Sequence, residues 1–481
     1  MKQMANTNPS PIDSAFFKAE QLRVNGKTSE ALQEYTRVVY MAPDHWPAFF
    51  HLGVLFGEQG KHALAAAMLR RAEKINPDHP VIKNHIGDHL LELGDREGAM
   101  RIWKRSWELD SGPNNTSTPF KVGKAYYVTN RFEEAVPWFE KTVNEVSDQG
   151  EEATHRRTVA RWFRCLSLLA MKKYREAWPD YEIRNLIPGV ILPNLTGELW
   201  YGQDLTGKTL FLGYEQRFGD VIQFARLLPR LKDCGGRVIV QVPKELARQI
   251  AYSFPFVEIA DVKDPIPEYD YYQWITSLAV AFDMAHDQIN EYPYQYFDVA
   301  EEDRVKELPM RPATQLKVGL LWAGKPDPDR SIPLQYYVPL LKHANVSFYS
   351  FQLGERRKEL AANAVGWMVL DLAPKITDFY DSSAFLKEMD LLITIDTAIV
   401  HQAGALGVPT WLMLLYFSDW RWDRNRDDND WYPNLRIFRQ EIEGSWGEPA
   451  RKLEVAFDKW VEEKTAGAKR KTKGRKSGGK L

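Results

Sequence analysis

From residue 12 to residue 185 apolar and polar positions follow helical spacing, and one frame keeps returning. Ala31, Ala65 and Ala99 stand 34 residues apart; Ala135 and Ala177 follow at looser intervals. Trp46, Leu52, Gly53 and Phe56 precede Ala65, and Leu69, Ala72 and Pro77 come after it. Ala19, Leu22, Tyr35, Val38 and Pro43 hold the matching places around Ala31, and Ile86, Gly87, Leu90 and Trp103 those around Ala99. Gly123, Tyr126, Ala135 and Phe139 give a fourth copy; Leu168, Ala177 and Tyr181 give a degenerate fifth. Each copy predicts two helices joined by a turn. Small residues such as Gly53 and Ala65 let the helices approach closely, large ones such as Leu52, Phe56 and Leu69 fill the space between units, and Pro43 and Pro77 end the second helix. One unit cannot bury its own apolar face, so the units must stack.

This frame resembles the tetratricopeptide repeat, which implies an α-solenoid with a concave surface over residues 12–185. The Pro- and Gly-bearing stretch 186–208 then reads as a connector. Beyond it, short apolar runs alternate with helical stretches. In residues 209–310 "TLFLGY", "RVIVQV" and "VEIA" predict strands, and "DVIQFARLLPRL" and "KELARQIAYSF" predict helices, followed by a less regular stretch. In residues 311–463 "LKVGLLWAG", "VSFYSFQL", "DLLITID" and "PTWLMLL" predict strands, while "PLQYYVPLLKH", "DSSAFLKEM", "TAIVHQAGALG" and the final "GEPARKLEVAFDKWVEE" predict helices. Two βα series imply two Rossmann-like domains, an α/β region behind an α region.

Composition is that of a globular chain, 44% hydrophobic and 27% charged. The net charge of −2 hides an asymmetry, because residues 464–481 carry eight Lys and Arg and no acid. That tail has no apolar period and is expected to be disordered, either solubilising or in weak contact with an anionic surface. Cys165 and Cys234 alone cannot build a disulfide framework or a Cys-based zinc site, which fits a reducing compartment. No leader pattern opens the chain and no apolar run approaches ~18 residues, so the expected location is cytoplasmic with no membrane span. No basic-aromatic groove for nucleic acid stands out.

Ligands of doubly wound sheets bind beyond the carboxyl ends of the strands. Three loops qualify: "GYEQRFGDV" after the first strand of the first series, "WAGKPDPDRSIP" after the first of the second, and "DTAIVHQAG" later in that series. In the last, Asp396 and Thr397 are expected to cap the helix through side-chain oxygens, leaving the N–H groups of Ala398 and Ile399 to an anion. His401 falls four residues after Thr397, on the same helical face, where it either leans toward that anion or packs. Asp-Pro-Asp at 327–329 and "RDDND" at 426–430 read as polar loops, and the Trp-rich "DWRW" and "WYP" as packing.

"FGDVIQFARLLP" together with "DTAIVHQAGALGVPT" resembles the signatures of bacterial heptosyltransferases, glycosyltransferase family 9. "YEQRFGDVIQFARLLP", "VGLLWAGKP", "RSIPL", "DWRW" and "WYPNLRIFRQ" look still more like bacterial proteins that join tetratricopeptide repeats to such a region, a plan similar to that of O-GlcNAc transferase. The resemblance implies a GT-B fold, a nucleotide-sugar co-substrate with no cofactor, and inversion at the anomeric carbon without an essential metal. It assigns the departing diphosphate to the helix start at Asp396, Thr397 and Ala398 and to Arg330, with Lys325 as a second cation. It assigns His401 to the sugar or the diphosphate. Asp220 corresponds to the base that accepts the acceptor's proton, although its place before "VIQFARLL" also suits a helix cap. Glu215, Gln216, Arg217 and Gly219 form the acceptor-side loop. Two positions depart from the pattern: Arg217 stands where relatives carry Gly, and Leu353 where they often carry Lys.

The resulting expectation is a glycosyltransferase acting on the hydroxyl of a cytosolic protein held by the repeats. Two alternatives remain: a non-catalytic repeat scaffold with a degenerate transferase region, and a transferase acting on a polysaccharide or lipid-linked glycan.

Overall fold

The computed structural model describes residues 10–477 except 113–114, 116, 145–149, 188–191, 216, 305–307, 311–314 and 325–329; of residues 467–477 it describes the backbone alone. The chain divides into two compact units, one ending at Ser167 and the other beginning at Leu168.

The first unit holds the antiparallel pairs Pro11–Val24 with Thr28–Met41, Trp46–Glu58 with His62–Ile75, Pro80–Glu92 with Arg96–Leu109, and Ser117–Val128 with Phe132–Asn144. The repeating alanines 31, 65, 99 and 135 are fully buried. The glycines explain the close packing. A methyl added at Gly53 would lie 2.6 Å from Leu69 Cγ, and one at Gly123 2.8 Å from Phe139; at Gly87 it would run into the Trp103 ring. In these three pairs the first helix thus leaves a notch that a large residue of its partner fills, which is tetratricopeptide packing.

The degenerate fifth copy straddles the division between the units: its first helix, Glu151–Ala170, packs Phe163 against Phe120, Tyr127 and Phe139 of the fourth pair. Its second helix, Tyr174–Tyr181, belongs to the second unit, because its aromatics pack there. Trp178 Nε1 donates to the Met284 carbonyl at 2.8 Å, and Trp431 Nε1 donates to the Tyr174 hydroxyl at 3.1 Å. The division at Ser167 therefore precedes residue 185, where the repeat period alone places it.

The second unit contains two wholly parallel sheets, a GT-B-like plan. The first comprises β1 (Glu198–Leu199), β2 (Thr209–Gly213), β3 (Arg237–Val242), β4 (Glu258–Asp261) and β5 (Tyr271–Trp274), in spatial order β1-β5-β2-β3-β4. The second comprises β6 (Leu316–Leu320), β7 (Val346–Ser350), β8 (Val369–Asp371), β9 (Leu391–Ile395), β10 (Thr410–Leu414) and β11 (Leu435–Arg439), in order β11-β10-β9-β6-β7-β8. From β2 in the first sheet and from β6 in the second, the chain runs outward and then returns to the other side of that strand, β1 already lying at the far edge of the first sheet. The order therefore reverses between β2 and β5 and between β6 and β9, the two crevices where a parallel sheet opens to a ligand.

Several expectations change. The connector contributes the edge strand β1, and the less regular stretch after β4 contains β5, a four-residue strand beside β2. "PLQYYVPLLKH" forms two short 3-10 segments, Leu334–Tyr336 and Val338–Lys342, because Pro339 lacks the N–H and crowds the preceding turn. The last helix runs from Gly447 to Ser477, past residue 463, where a disordered tail is expected; its Pro449 sits in the first turn, and beyond 463 Lys, Arg and Ala continue it with no proline. Its buried Leu453, Phe457 and Val461 face the second sheet, with Phe457 against Phe348 and Trp411. Among the described residues no helix is long and apolar enough to cross a membrane.

Candidate functional site

The loops after β2, β6 and β9 converge, joined by a fourth after β10. Gly324, just beyond β6, lies against Thr397: a methyl there would sit 3.1 Å from Thr397 Cγ2. Gly219, beyond β2, lies against the helix Ala398–Leu406. A methyl there would sit 2.9 Å from His401 Cδ2 and 3.7 Å from Ala398 Cα. Only a residue without a side chain lets the two sheets' loops meet this closely.

Thr397 occupies the N-cap position, yet its side chain makes no capping hydrogen bond. This corrects the expected hydroxyl cap: Thr397 Oγ1 is buried without a hydrogen-bond partner. The backbone does the work instead, Val400 N–H donating to the Thr397 carbonyl at 3.1 Å. Asp396 makes no capping bond either and has a different character. Burial first, and then the neighbouring Asp419, push its carboxyl up to about 6, against the pull of Arg330 and Arg421. Arg330 is thus near enough for its charge to act on Asp396. Lys325, Gln216 and the 327–329 stretch lie outside the described residues.

His401 is 5% exposed. Its Nδ1 pairs with the Tyr432 hydroxyl at 3.0 Å, and its ring stacks on Trp422 at 5.3 Å. Burial, helped by Arg421, pushes its pKa down to about 3, so the ring is neutral at physiological pH. It can offer a hydrogen bond to an anion but no charge.

Asp220 is not a helix cap. Arg217 holds the N-cap position of the helix Phe218–Phe224, and Asp220 lies inside the first turn. Its Oδ1 pairs instead with Arg421 Nη2 at 2.8 Å. Arg217 itself is exposed and Leu353 is 51% exposed, so neither fills the space between the loops. Gln352, next to Leu353, is buried and holds the loop after β6, accepting from Ala323 N–H at 2.8 Å and donating to its carbonyl at 3.0 Å.

Glu215 is buried and held by Arg184 of the 3-10 turn Glu182–Leu186, whose Nε donates at 2.9 Å. The same guanidinium reaches Thr276 and Ser277 after β5, at 2.9 and 2.6 Å. Arg184 therefore ties together the two loops that flank the first sheet's crevice. Burial raises the Glu215 carboxyl to about 7; Arg184 opposes the rise and Glu182 adds to it. The second oxygen of Glu215 is buried without a partner.

Sequence reasoning missed Arg421, because "DWRW" reads as packing. Its tryptophans do pack, Trp420 and Trp422 being buried, but they deliver a guanidinium to the site. "RDDND" is likewise no simple solvated loop. Residues 426–428 are exposed, while Asn429 is buried and donates to the Arg421 carbonyl at 2.6 Å. Asp430 binds Lys172 at 2.7 Å, Arg426 at 2.8 Å and His286 at 3.0 Å. Although burial alone would raise its pKa, Lys172 and Arg426 hold it down to about 2. Among the described residues no group of three or more His, Cys, Asp or Glu side chains could hold a metal ion. A cavity of about 1000 Å³ lined by Trp411, Arg436 and Trp460 also takes in Arg426, Asp427 and Asp428 of "RDDND", but none of the residues assigned to catalysis, to the donor or to the acceptor-side loop.

Comparison with known proteins gives two levels of likeness. A tetratricopeptide repeat family model matches residues 18–80. Protein FlbA of Caulobacter vibrioides is 25% identical over 437 residues, which span 84% of this chain and 71% of that protein. The TPR repeat-containing protein YpiA of Bacillus subtilis is 24% identical over 140 residues, 29% of this chain and 33% of its own. Among solved structures, a MamA protein superposes with a TM-score of 0.30 at 16% identity, covering 38% of this chain and 98% of its own. YrrB, described as a TPR protein with an unusual peptide-binding site, does so with a TM-score of 0.28 at 19% identity, covering 35% and 87%. The sequence likeness to FlbA extends beyond the repeats, and the likeness to YpiA has the length of a repeat array.

Proposed function

We propose that the second unit is an inverting glycosyltransferase that moves a sugar from a nucleotide-sugar donor to an acceptor hydroxyl without an essential metal. The observation that carries this reading is the meeting of the loop after β2 with the start of the helix after β9, Gly219 lying against Ala398 and His401. It brings a carboxylate from one parallel sheet beside a helix start from the other. In this reading the β9 helix start, with Thr397, Ala398 and Arg330, receives the charge that grows on the departing diphosphate. Thr397 Oγ1, buried without a partner, is a donor for a phosphate oxygen. Neutral His401 hydrogen-bonds the sugar or the diphosphate, and neither it nor Asp396 supplies positive charge. Asp220 accepts the proton of the attacking hydroxyl.

The acceptor we propose is a protein segment bound by the repeats, since such arrays present extended concave surfaces. The test is purified protein incubated with a panel of nucleotide sugars, read as release of nucleoside diphosphate, with co-expressed proteins examined by mass spectrometry for added sugar. Asp220→Asn is expected to slow transfer roughly 10²–10⁴-fold, to a residual rate that is still measurable. Deleting residues 1–150 is expected to abolish transfer to protein while donor hydrolysis persists. The cut spares Lys172, Tyr174, Trp178 and Arg184, which hold the second unit's own loops. Undiminished transfer to protein by the truncated chain would remove the repeats as acceptor reader, and no donor turnover at all would favour the scaffold.

A further inference from the structure

Arg421 is built into the junction of the two sheets more firmly than an ordinary ion pair. Its side chain is 10% exposed, and all three of its nitrogens are engaged. Nη2 meets Asp220 Oδ1 at 2.8 Å, Nη1 meets Asp419 Oδ1 at 2.8 Å, and Nε donates to Gln223. The guanidinium carbon lies 4.6 Å from the centre of the Trp420 ring. The backbone is pinned as well, Arg421 N–H donating to Asp419 at 3.1 Å and Asn429 donating to the Arg421 carbonyl. Burial works against this charge, but Asp419 and Asp220 outweigh it and hold the group protonated.

A buried ion pair is a poor stability device, since apolar replacements commonly do as well. A planar fork fixed on one side by Asp419 is, however, well suited to orienting a carboxylate on the other. Resting on the transferase reading, we propose that Arg421 is the positioning residue of Asp220: anchored on Asp419, it fixes the carboxylate that takes the acceptor's proton. Arg421 touches neither donor nor acceptor. The adjoining Trp422 stacks on His401, so one short loop sets both the carboxylate and the helix that faces it.

Because it acts through Asp220, Arg421 must lose its effect when Asp220 is disabled. A positioned base contributes roughly 10²–10⁴ in rate, so Arg421→Met is expected to lower kcat about 10²-fold with the KM for nucleotide sugar unchanged. Arg421→Lys, which keeps the charge but loses the fork, should recover part of that loss, and Asp419→Asn should give an intermediate loss. In an Asp220→Asn background, Arg421→Met should add nothing. Calorimetric binding of a nucleoside diphosphate should be the same in all these variants. An additive loss in the double variant overturns the proposal, as does a raised KM with weakened nucleoside diphosphate binding, which would make Arg421 a donor ligand. An Arg421→Met variant with wild-type kcat overturns it while leaving the transferase reading intact. Absence of turnover by the wild-type protein with every nucleotide sugar removes that reading and the positioning role with it.

Discussion

Replacing Glu215 by Gln tests whether burial or ion pairing governs the loop after β2. Folding moves this carboxyl from 4.5 to about 7, with burial as the largest cause and Arg184 opposing it. The folded state therefore holds the proton more tightly than the unfolded chain. This contribution to stability is fully present below pH 4.5 and is lost as the pH rises through about 7. At about 1.36 kcal/mol per pKa unit, full ionisation withdraws roughly 3 kcal/mol from a side chain that is 8% exposed. Gln keeps the shape and one carbonyl oxygen for Arg184 but cannot ionise. The two proteins should melt together at pH 4, and Glu215→Gln should melt higher at pH 8, by on the order of 5 °C for a unit of this size. Asp396, raised to about 6, titrates in both proteins and cancels in the comparison. The assay is thermal unfolding followed by tryptophan fluorescence at half-unit steps from pH 4 to 8. Parallel curves across that range, or a variant that melts lower at pH 8, would refute the reasoning and show that the Arg184 pair outweighs burial.

In the repeats, Gly87→Ala should destabilise by about 1–3 kcal/mol, because the methyl meets the Trp103 ring, whereas the same change on an open helix face would stabilise; a higher melting temperature for the variant would show that the helices do not approach as closely as described. Lys172→Met removes the cation shared by Asp423 at 2.8 Å and Asp430 at 2.7 Å. Asp430 is depressed to about 2, so its contribution is present above pH 3.8 and lost as the pH falls through about 2. The variant should therefore raise the Asp430 pKa measured by NMR and lose about 1 kcal/mol at neutral pH; an unmoved Asp430 titration would count against the pairing.

The repeats were legible because their information is local and periodic. Gly53, Gly87 and Gly123 announce a notch, and Leu69, Trp103 and Phe139 announce what fills it. Strands such as β3 and β9, and even the four-residue β4, were legible as apolar runs; β5, whose Tyr-Tyr-Gln-Trp follows a polar stretch, and the three-residue β8 were not. The helix after β9 was correctly placed, but its hydroxyl cap was not made. Thr397 packs its methyl toward Gly324 and leaves its hydroxyl off the helix end, a contact between separate loops that spacing cannot see.

What sequence could not supply was the order of strands, and with it the reason these loops share a site. Chain order places β5 after β4 and β9 after β8, yet both strands return to the middle of their sheets, beside β2 and β6. That return opens each sheet at its reversal, and the loops after β2, β6 and β9 are those that leave strands at the two reversals. Arg421 follows from the same geometry: it lies 198 residues from Gln223 and comes from a loop after β10, so no local pattern could couple it to Asp220. The tryptophans around it read as packing because they do pack, Trp420 under the guanidinium and Trp422 on His401, and that packing holds a buried cation against two carboxylates. A Trp-rich segment after a penultimate parallel strand is therefore better read by the polar residue its tryptophans enclose than by the tryptophans themselves.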